Sequence, residues 1–351
     1  MAHRPHMRRM LKQGAPEPIA ALNKVRITEY TLPWEAREPL VDIRTHCPSI
    51  AVIPTCCPFL RRRVADMLNR AQELLGDRYR LQARAAMRTL AHQKRGWDAY
   101  FARMQAEHPE WPLSTLRRAT NRYFAPYDQK APPGHCTGGA VDVALLDADG
   151  QELDLCSPMG RWDAAYTWSD RIGPEARANR MRMVHAMLEA GFSNCREEYW
   201  HYSWGDSAWA VRVGEKECPY GLTYAPATLE RDFPEASAGS GSITTHREAL
   251  TGKPLRVEAC CEWPVHLPVF RVGIYWAEDL PVSLKIRRSG GMPVRDFYLL
   301  DVKGEWRPIE GRSCTAEEVT LHFTPDAERA QVASYVPEPP SARDGVTGGS
   351  S

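Results

Sequence analysis

Two ionisable side chains lie inside a strongly aromatic stretch of this sequence, and they limit the folds that the chain can adopt. The stretch EEYWHYSW, residues 197–204, places Glu198 and His201 among four aromatic residues. Burying a carboxylate or an imidazole without a partner costs on the order of several kcal/mol. The fold must therefore compensate both side chains, and a metal ion with a reacting water would do so. Because the run is strand-like, we expect both residues near a strand end with local bending.

The composition is that of a globular protein large enough for two domains. The 351 residues are 43% hydrophobic and 25% charged, and the formal net charge is +1. Such a balance gives no global positive field that would favour nucleic acid or an anionic membrane as partner. A small neutral or zwitterionic substrate fits this charge better.

Cysteine spacing and hydropathy bear on the compartment. The ten cysteines contain no C-x-x-C pair, which favours a reduced environment. The basic N-terminus lacks the apolar core of a secretory signal, and no stretch approaches the roughly 18 apolar residues of a membrane span. We expect a cytoplasmic protein, with a mature or truncated secreted form as the exception.

Apolar periodicity predicts mixed secondary structure before residue 223. A helix is expected after Pro58 with its stop at Gly76, and others from about Leu90, from Ser114 as N-cap, and from Pro174. The stretches YRLQARAAM and GGAVDVALLD are predicted strands. Beyond residue 223, Val282, Leu284 and Ile286 alternate with polar residues, so this half is predicted to be all-β.

Three stretches contain residue types that suit metal-assisted hydrolysis. His135 lies in a glycine-flanked loop, and alternation places Asp142 among small alanines on one face of the next strand. With His201 they form a common three-ligand set for catalytic Zn²⁺, which leaves a fourth position for a water whose pKa falls to about 7. An adjacent Glu198 can take the proton of that water. Arg88, after the first strand, can place a cation beside the developing oxyanion.

Structural interpretations compete with these roles. Each motif alone is more often structural than catalytic. Cys136 is best interpreted as a small packed thiol, His185 as a surface residue of a helix, and Cys260-Cys261 as part of a strand core. Trp200 and Trp204 are core residues by default, although they could line a pocket.

Taken in order, these motifs resemble those of a known family. PGHCTGGAVD is similar to S-x-H-x-x-G-x-A-x-D, and GFSNCREEYWHY to G-F…E-W-W-H-Y, of the VanX-type zinc D-alanyl-D-alanine dipeptidases. The resemblance covers roughly residues 35–215. It implies an α+β domain, a small central sheet with flanking helices, and one Zn²⁺ per chain. It also implies His135, Asp142 and His201 as zinc ligands, Glu198 as catalytic base and Arg88 as the transition-state cation.

Several positions around the site depart from the family pattern. The family's D-G-Y-R-P appears as AAMRT, which keeps only Arg88, and the motif serine is Pro133. DLCSPMG retains Asp154 of D-M-G-T-x-F-D but has Cys156 and Gly160 at the glycine and the last aspartate. Hydrolysis is therefore better supported than the identity of the dipeptide.

The C-terminal half is similar to another module. Its W-R-x-I/V and F-T-P-x-A-x-R phrases resemble the β-sandwich that precedes the catalytic domain in some zinc carboxypeptidases. Such a module implies packing, contact with an unknown partner or substrate-side recognition. We predict five regions: an N-terminal extension (1–34), the catalytic domain (35–226), a linker (227–246) containing EASAGSGS, an all-β sandwich (247–337) and a disordered tail (338–351).

The favoured function is hydrolysis of D-Ala-D-Ala, a cell-wall dipeptide, or of a similar short D-amino-acid dipeptide by a zinc metallopeptidase. One alternative is a D,D-carboxypeptidase or endopeptidase that acts on peptidoglycan stems, for which an export signal would be the mark. The other is a non-catalytic binding protein on the same scaffold. The presence of Glu198 argues against the latter, because a scaffold has no need of a base.

Overall fold

A computed structural model describes residues 17–230, 241–248, 252–293 and 295–335 of the protein. The chain divides into two compact units between Ala225 and Pro226. The predicted tail, 338–351, lies outside the described residues.

A five-stranded sheet forms the centre of the N-terminal unit. The strands of this unit are β1 (Arg26–Ile27), β2 (Leu40–Asp42), β3 (Ala51–Val52), β4 (Phe59–Arg61), β5 (Tyr79–Ala85), β6 (Ala140–Asp147), β7 (Ser193–Asn194), β8 (His201–Ser203) and β9 (Glu217–Cys218). The central sheet has the order β3-β5-β6-β8-β7, and only the β3/β5 pair within it is parallel. β5 carries a bulge next to the position where Ala85 faces Asp142.

In the described residues, seven helices accompany the strands of the N-terminal unit. They are α1 (Ile19–Leu22), α2 (Ile43–His46), α3 (Arg62–Leu75), α4 (Leu90–Glu107), α5 (Leu113–Thr120), α6 (Pro174–Glu189) and α7 (Ser207–Val213). α3 and α6 pack together, and their Leu68 and Met183 share one buried core with Val141, Val143 and Leu145 of β6. The other face of β6 carries the alternate residues, which include Asp142, so the apolar pattern of the strand decides where the carboxylate points.

Two boundaries differ from the periodicity. The helix expected directly after Pro58 starts at Arg62, because residues 59–61 pair with β2 as a strand, and it ends at Leu75 with Gly76 as C-cap at a positive φ of 66°. The helix expected to have Ser114 as its N-cap has Pro112 in that position and starts at Leu113, two residues earlier.

The N-terminal segment is built into the first unit. β1 pairs in parallel with β9, about 190 residues later in the chain, and two short 3₁₀ helices follow it (Thr28–Thr31 and Trp34–Ala36). The described part of the predicted extension is therefore structurally part of the unit that holds the central sheet.

The C-terminal unit consists of two five-stranded sheets around a common core. Its strands are β10 (Thr228–Glu230), β11 (Gly241–Arg247), β12 (Pro254–Glu262), β13 (Arg271–Tyr275), β14 (Val282–Arg287), β15 (Tyr298–Leu300), β16 (Trp306–Pro308), β17 (Gly311–Cys314), β18 (Glu318–Phe323) and β19 (Arg329–Ala333). The sheet orders are β10-β13-β19-β15-β16 and β11-β12-β14-β18-β17. Inward-facing residues of both sheets, such as Ile274 and Leu284, form one buried cluster, as a sandwich requires.

The predicted fold class, an α+β domain followed by an all-β sandwich, is confirmed. Part of the predicted linker is wrong, because residues 228–230 and 241–246 lie in β10 and β11. Polar and glycine-rich composition suggested a flexible connection, but pairing with β13 and β12 places these residues in the sheets. Residues 231–240 lie outside the described residues. None of the helices in the described part of the chain has the length and apolar character to cross a membrane.

Candidate active site

Strand register brings two of the predicted site residues together. Asp142 of β6 lies directly opposite His201 of β8 in the antiparallel ladder. Side chains of directly opposed residues lie on the same face of a sheet. The Nδ1 atom of His201 is 3.0 Å from Oδ1 of Asp142.

The third predicted residue, His135, reaches the same carboxylate from the loop before β6. It lies in a 3₁₀ helix, Gly134–Thr137, and its Nε2 is 3.3 Å from Oδ1 of Asp142. Its Nδ1 donates a hydrogen bond to the carbonyl of Ala86 at 2.7 Å. That bond places a proton on Nδ1 and orients the ring, so Nε2 faces the cluster.

The three side chains fit a metal ion. One ligand atom from each of His135, Asp142 and His201 lies within 4.8 Å of the others. Burial alone would raise the pKa of the Asp142 carboxyl, but the two imidazoles hold this pKa well below its usual range, so the group is ionised. Two imidazoles and a carboxylate are the donor types of a catalytic zinc site, in which protein side chains supply three ligands.

Glu198 is presented by two consecutive turns that lead into β8. Its N–H donates to the carbonyl of Cys195 at 3.0 Å, and its own carbonyl accepts from the N–H of His201 at 3.0 Å. Burial raises the pKa of the Glu198 carboxyl, the Asp142 charge acts in the same direction, and the imidazole of His201 opposes both. A carboxylate with a raised pKa is better matched to proton transfer near neutral pH. Glu198 and His201 therefore lie near a strand end with local bending, as predicted from the sequence.

Arg88 lies beside the loop that carries His135. Its N–H donates to the carbonyl of His135 at 3.1 Å, and Nη1 of its guanidinium donates to Oε1 of Gln93 at 2.9 Å. Gln93 is itself buried, and its amide donates to the carbonyl of Ala125 at 2.7 Å. The guanidinium is therefore oriented by a side chain that is fixed in turn.

Two supporting groups were not predicted from the sequence. The Asn194 amide is buried and donates to the carbonyls of Glu198 (3.3 Å) and His201 (3.1 Å), so it clamps the turns that carry both. The carbonyl of Ala86 orients His135. A backbone acceptor has no signature in residue type, whereas a buried asparagine four residues before a candidate base is a signal that could have been noticed.

The residues interpreted as structural have the expected burial, except that Cys260 is only partly buried. The Cys136 thiol is fully buried, and burial raises its pKa to about 12, so it stays protonated and packed. His185 is exposed on α6, Cys261 is buried in β12, and Trp200 belongs to the core of the N-terminal unit. Trp204 is partly buried and packs against that core.

The candidate site lies within the part of the chain that matches a known protein family. Residues 80–218, less than half of the chain, match the Peptidase_M15 family model, described as D-ala-D-ala dipeptidase. All five predicted site residues fall within this range. A D-alanyl-D-alanine dipeptidase of Synechocystis sp. is 27% identical over 181 residues, which are 45% of this chain and 73% of that protein.

Solved structures with a likeness to the chain include a D,D-pentapeptidase and a metallo-carboxypeptidase. A mutant of the vancomycin-resistance D,D-pentapeptidase VanY in complex with Zn(II) is 14% identical with a TM-score of 0.31, over 56% of this chain and 96% of that one. VanYB in complex with D-alanine-D-alanine is 13% identical with a TM-score of 0.32, over 56% and 93%. A metallo-carboxypeptidase from Burkholderia cenocepacia is 9% identical with a TM-score of 0.23, and the alignment spans 31% of this chain and only 28% of that one.

Proposed function

We propose that this chain, whose residues 80–218 match the D-ala-D-ala dipeptidase family model, is a metallopeptidase that hydrolyses D-alanyl-D-alanine or a similar short D-amino-acid dipeptide with one Zn²⁺ per chain. The observation that carries the proposal is the convergence of His135, Asp142 and His201, with Glu198 one turn before His201. The cytoplasmic location expected from the sequence stays a prediction.

His135, Asp142 and His201 would hold the zinc ion. Nε2 of His135 is available for a metal because Nδ1 is occupied by the Ala86 carbonyl. When bound, Zn²⁺ acts as a Lewis acid that polarises a carbonyl and makes water more acidic.

Glu198 and Arg88 would provide proton transfer and charge stabilisation, respectively. Glu198 accepts the proton of the attacking water and then delivers it to the leaving amine, for which its raised pKa is suited. Arg88 supplies a guanidinium, oriented by Gln93, to the charge that develops on the former carbonyl oxygen. Loss of either side chain would lower kcat more than it would weaken substrate binding.

The positions that depart from the family pattern bear on substrate choice and not on the hydrolytic groups. Asp154, retained from the family pattern, is exposed and accepts hydrogen bonds from the N–H groups of Cys156 (2.9 Å) and Ser157 (3.0 Å). The carboxylate of Asp154 thus stabilises the turn that contains it. A panel of peptides is therefore the appropriate test.

The test combines metal analysis with a substrate panel on the full-length protein. We expect about one Zn²⁺ per chain and the highest kcat/KM on D,D-dipeptides, with much lower values on L,D- and L,L-dipeptides. The panel should include a stem pentapeptide that ends in D-Ala-D-Ala. Faster cleavage of the pentapeptide would favour a D,D-carboxypeptidase, and full zinc loading without hydrolysis of any peptide would favour a binding protein.

A fragment that ends at Ala225 is expected to retain dipeptide hydrolysis. All five proposed site residues precede residue 202, and the chain divides into two units at this point. Zinc content, melting temperature and kcat/KM on a free dipeptide should be compared with those of the full chain. A folded, zinc-loaded fragment whose kcat/KM has fallen more than about tenfold, roughly 1.4 kcal/mol of transition-state stabilisation, would contradict this division of labour.

A further inference from the structure

The loop that carries His135, residues 134–139, is held through five consecutive carbonyl groups. Three of the donors are backbone N–H groups from distant segments: Arg88 to His135 O at 3.1 Å, Thr223 to Cys136 O at 3.0 Å, and Trp204 to Gly139 O at 2.9 Å. The other two donors belong to Arg61, whose Nε donates to Thr137 O at 2.8 Å and whose N–H donates to Gly138 O at 2.9 Å. Among these five contacts, Arg61 provides the side-chain donor.

Arg61 is one of the most deeply buried ionisable groups in the described residues. Only 1% of its surface is exposed, at the junction of β4 and α3. Its Nη2 donates to Oε1 of Glu29 at 2.8 Å, its Nη1 donates to the carbonyl of Glu38 at 2.6 Å, and its guanidinium lies over the ring of Tyr220 at 5.0 Å. One side chain therefore joins the N-terminal segment and the segment after β9 to the His135 loop.

Glu29 completes this network. It is 3% exposed and also accepts the N–H of Gly221 at 2.5 Å. A buried guanidinium is tolerated where a carboxylate and carbonyls satisfy its donors, and removal of one partner leaves the others uncompensated. The position of the loop is thus coupled to the integrity of the Arg61–Glu29 pair.

We propose that Arg61 is a positioning residue of the zinc site, which acts through the carbonyl run of residues 137–138 to place Nε2 of His135. This inference rests on the proposed function, because it requires that the site binds zinc. Groups that hold a metal-ligating residue in its orientation typically contribute about 10–100-fold to metal affinity. The role of Arg61 lies in the geometry of a ligand and not in contact with the substrate.

Arg61→Met tests the inference, with Arg180→Met as the matched control. Arg180 is also fully buried and donates through Nε to the carbonyl of Leu155 at 2.8 Å and through Nη1 to that of Tyr166 at 2.9 Å, away from the His135 loop. Both variants should lower the melting temperature of the metal-free protein. We expect Arg61→Met to weaken zinc binding by at least about tenfold in a chelator competition, and Arg180→Met to change it by less than about twofold.

The visible spectrum of the cobalt-substituted protein gives a second measurement, since it reports the geometry of the ligands. We expect it to change in Arg61→Met and to stay unchanged in Arg180→Met. Equal zinc affinity and an unchanged cobalt spectrum in Arg61→Met would overturn the inference. A wild-type protein that binds no zinc would instead refute the proposed function itself.

Milder variants keep the inference testable if Arg61→Met does not fold. Arg61→Lys keeps the charge but cannot serve Thr137, Glu29 and Glu38 with one planar group. Glu29→Gln keeps an acceptor for Gly221 and replaces the ion pair with Arg61 by a neutral hydrogen bond. Both should give smaller losses of zinc affinity in the same direction, and wild-type affinity in Arg61→Lys would equally overturn the inference.

Discussion

Glu198→Gln is expected to lower kcat by at least about 10²-fold while zinc content and fold are retained. Glutamine has nearly the same shape as glutamate, but its amide cannot accept the proton of the attacking water. The two turns that present this residue are made by backbone groups and by the Asn194 amide, so the exchange leaves them in place. Burial, which raises the pKa of the native carboxyl, also makes a neutral side chain easy to accommodate.

The matched control is Glu197→Gln, the same exchange at the neighbouring exposed glutamate. Steady-state kinetics on the best dipeptide of the panel, together with zinc analysis, should show a large loss of kcat for Glu198→Gln and a near-native value for the control. Wild-type turnover in Glu198→Gln would rule out Glu198 as the base.

Removal of an imidazole ligand is expected to abolish stable zinc binding. In His201→Ala and His135→Ala, two protein ligands remain of three. Loss of a supporting group behind a ligand already costs about 10–100-fold in metal affinity, so loss of a ligand should cost more. His201→Ala also removes the partner of Asp142 at 3.0 Å, which leaves a mostly buried carboxylate with one imidazole instead of two.

His185→Ala provides the control, since His185 is exposed on α6. After dialysis against a weak chelator, we expect near-zero zinc in both ligand variants and full zinc in the control. Full occupancy in both ligand variants would refute the ligand assignment.

Most of the correct sequence predictions came from residue patterns within short stretches. Alternation in GGAVDVALLD placed Asp142 on the face opposite Val141 and Val143, and the strand has that arrangement because the apolar face must be buried. The aromatic run around Glu198 and His201 likewise indicated a strand end, which β8 confirms. In each case a local pattern was sufficient because one face of the element packs against a single core.

Long-range partners account for what the sequence did not predict. In LRRRV, three consecutive arginines have the pattern of a solvated helix surface, and nothing local distinguishes the buried Arg61 from Arg62 and Arg63. Its burial depends on Glu29 and Thr137, which are 32 and 76 positions away. β10 and β11 were missed for the same reason, because partner strands determine whether a polar, glycine-rich segment becomes a strand.

The pairing of Asp142 with His201 couples metal binding to folding. These two residues are 59 positions apart, and they meet only when β8 has joined β6. An unfolded chain therefore offers a metal no assembled site, and the zinc ion proposed for this site would stabilise the native state by RT ln(1 + [Zn]/Kd). At about 100 times Kd, that is roughly 2.7 kcal/mol, a large share of the stability of an ordinary domain. Zinc starvation should thus lower the abundance of the protein as well as its activity, because unloaded chains unfold more often and are degraded.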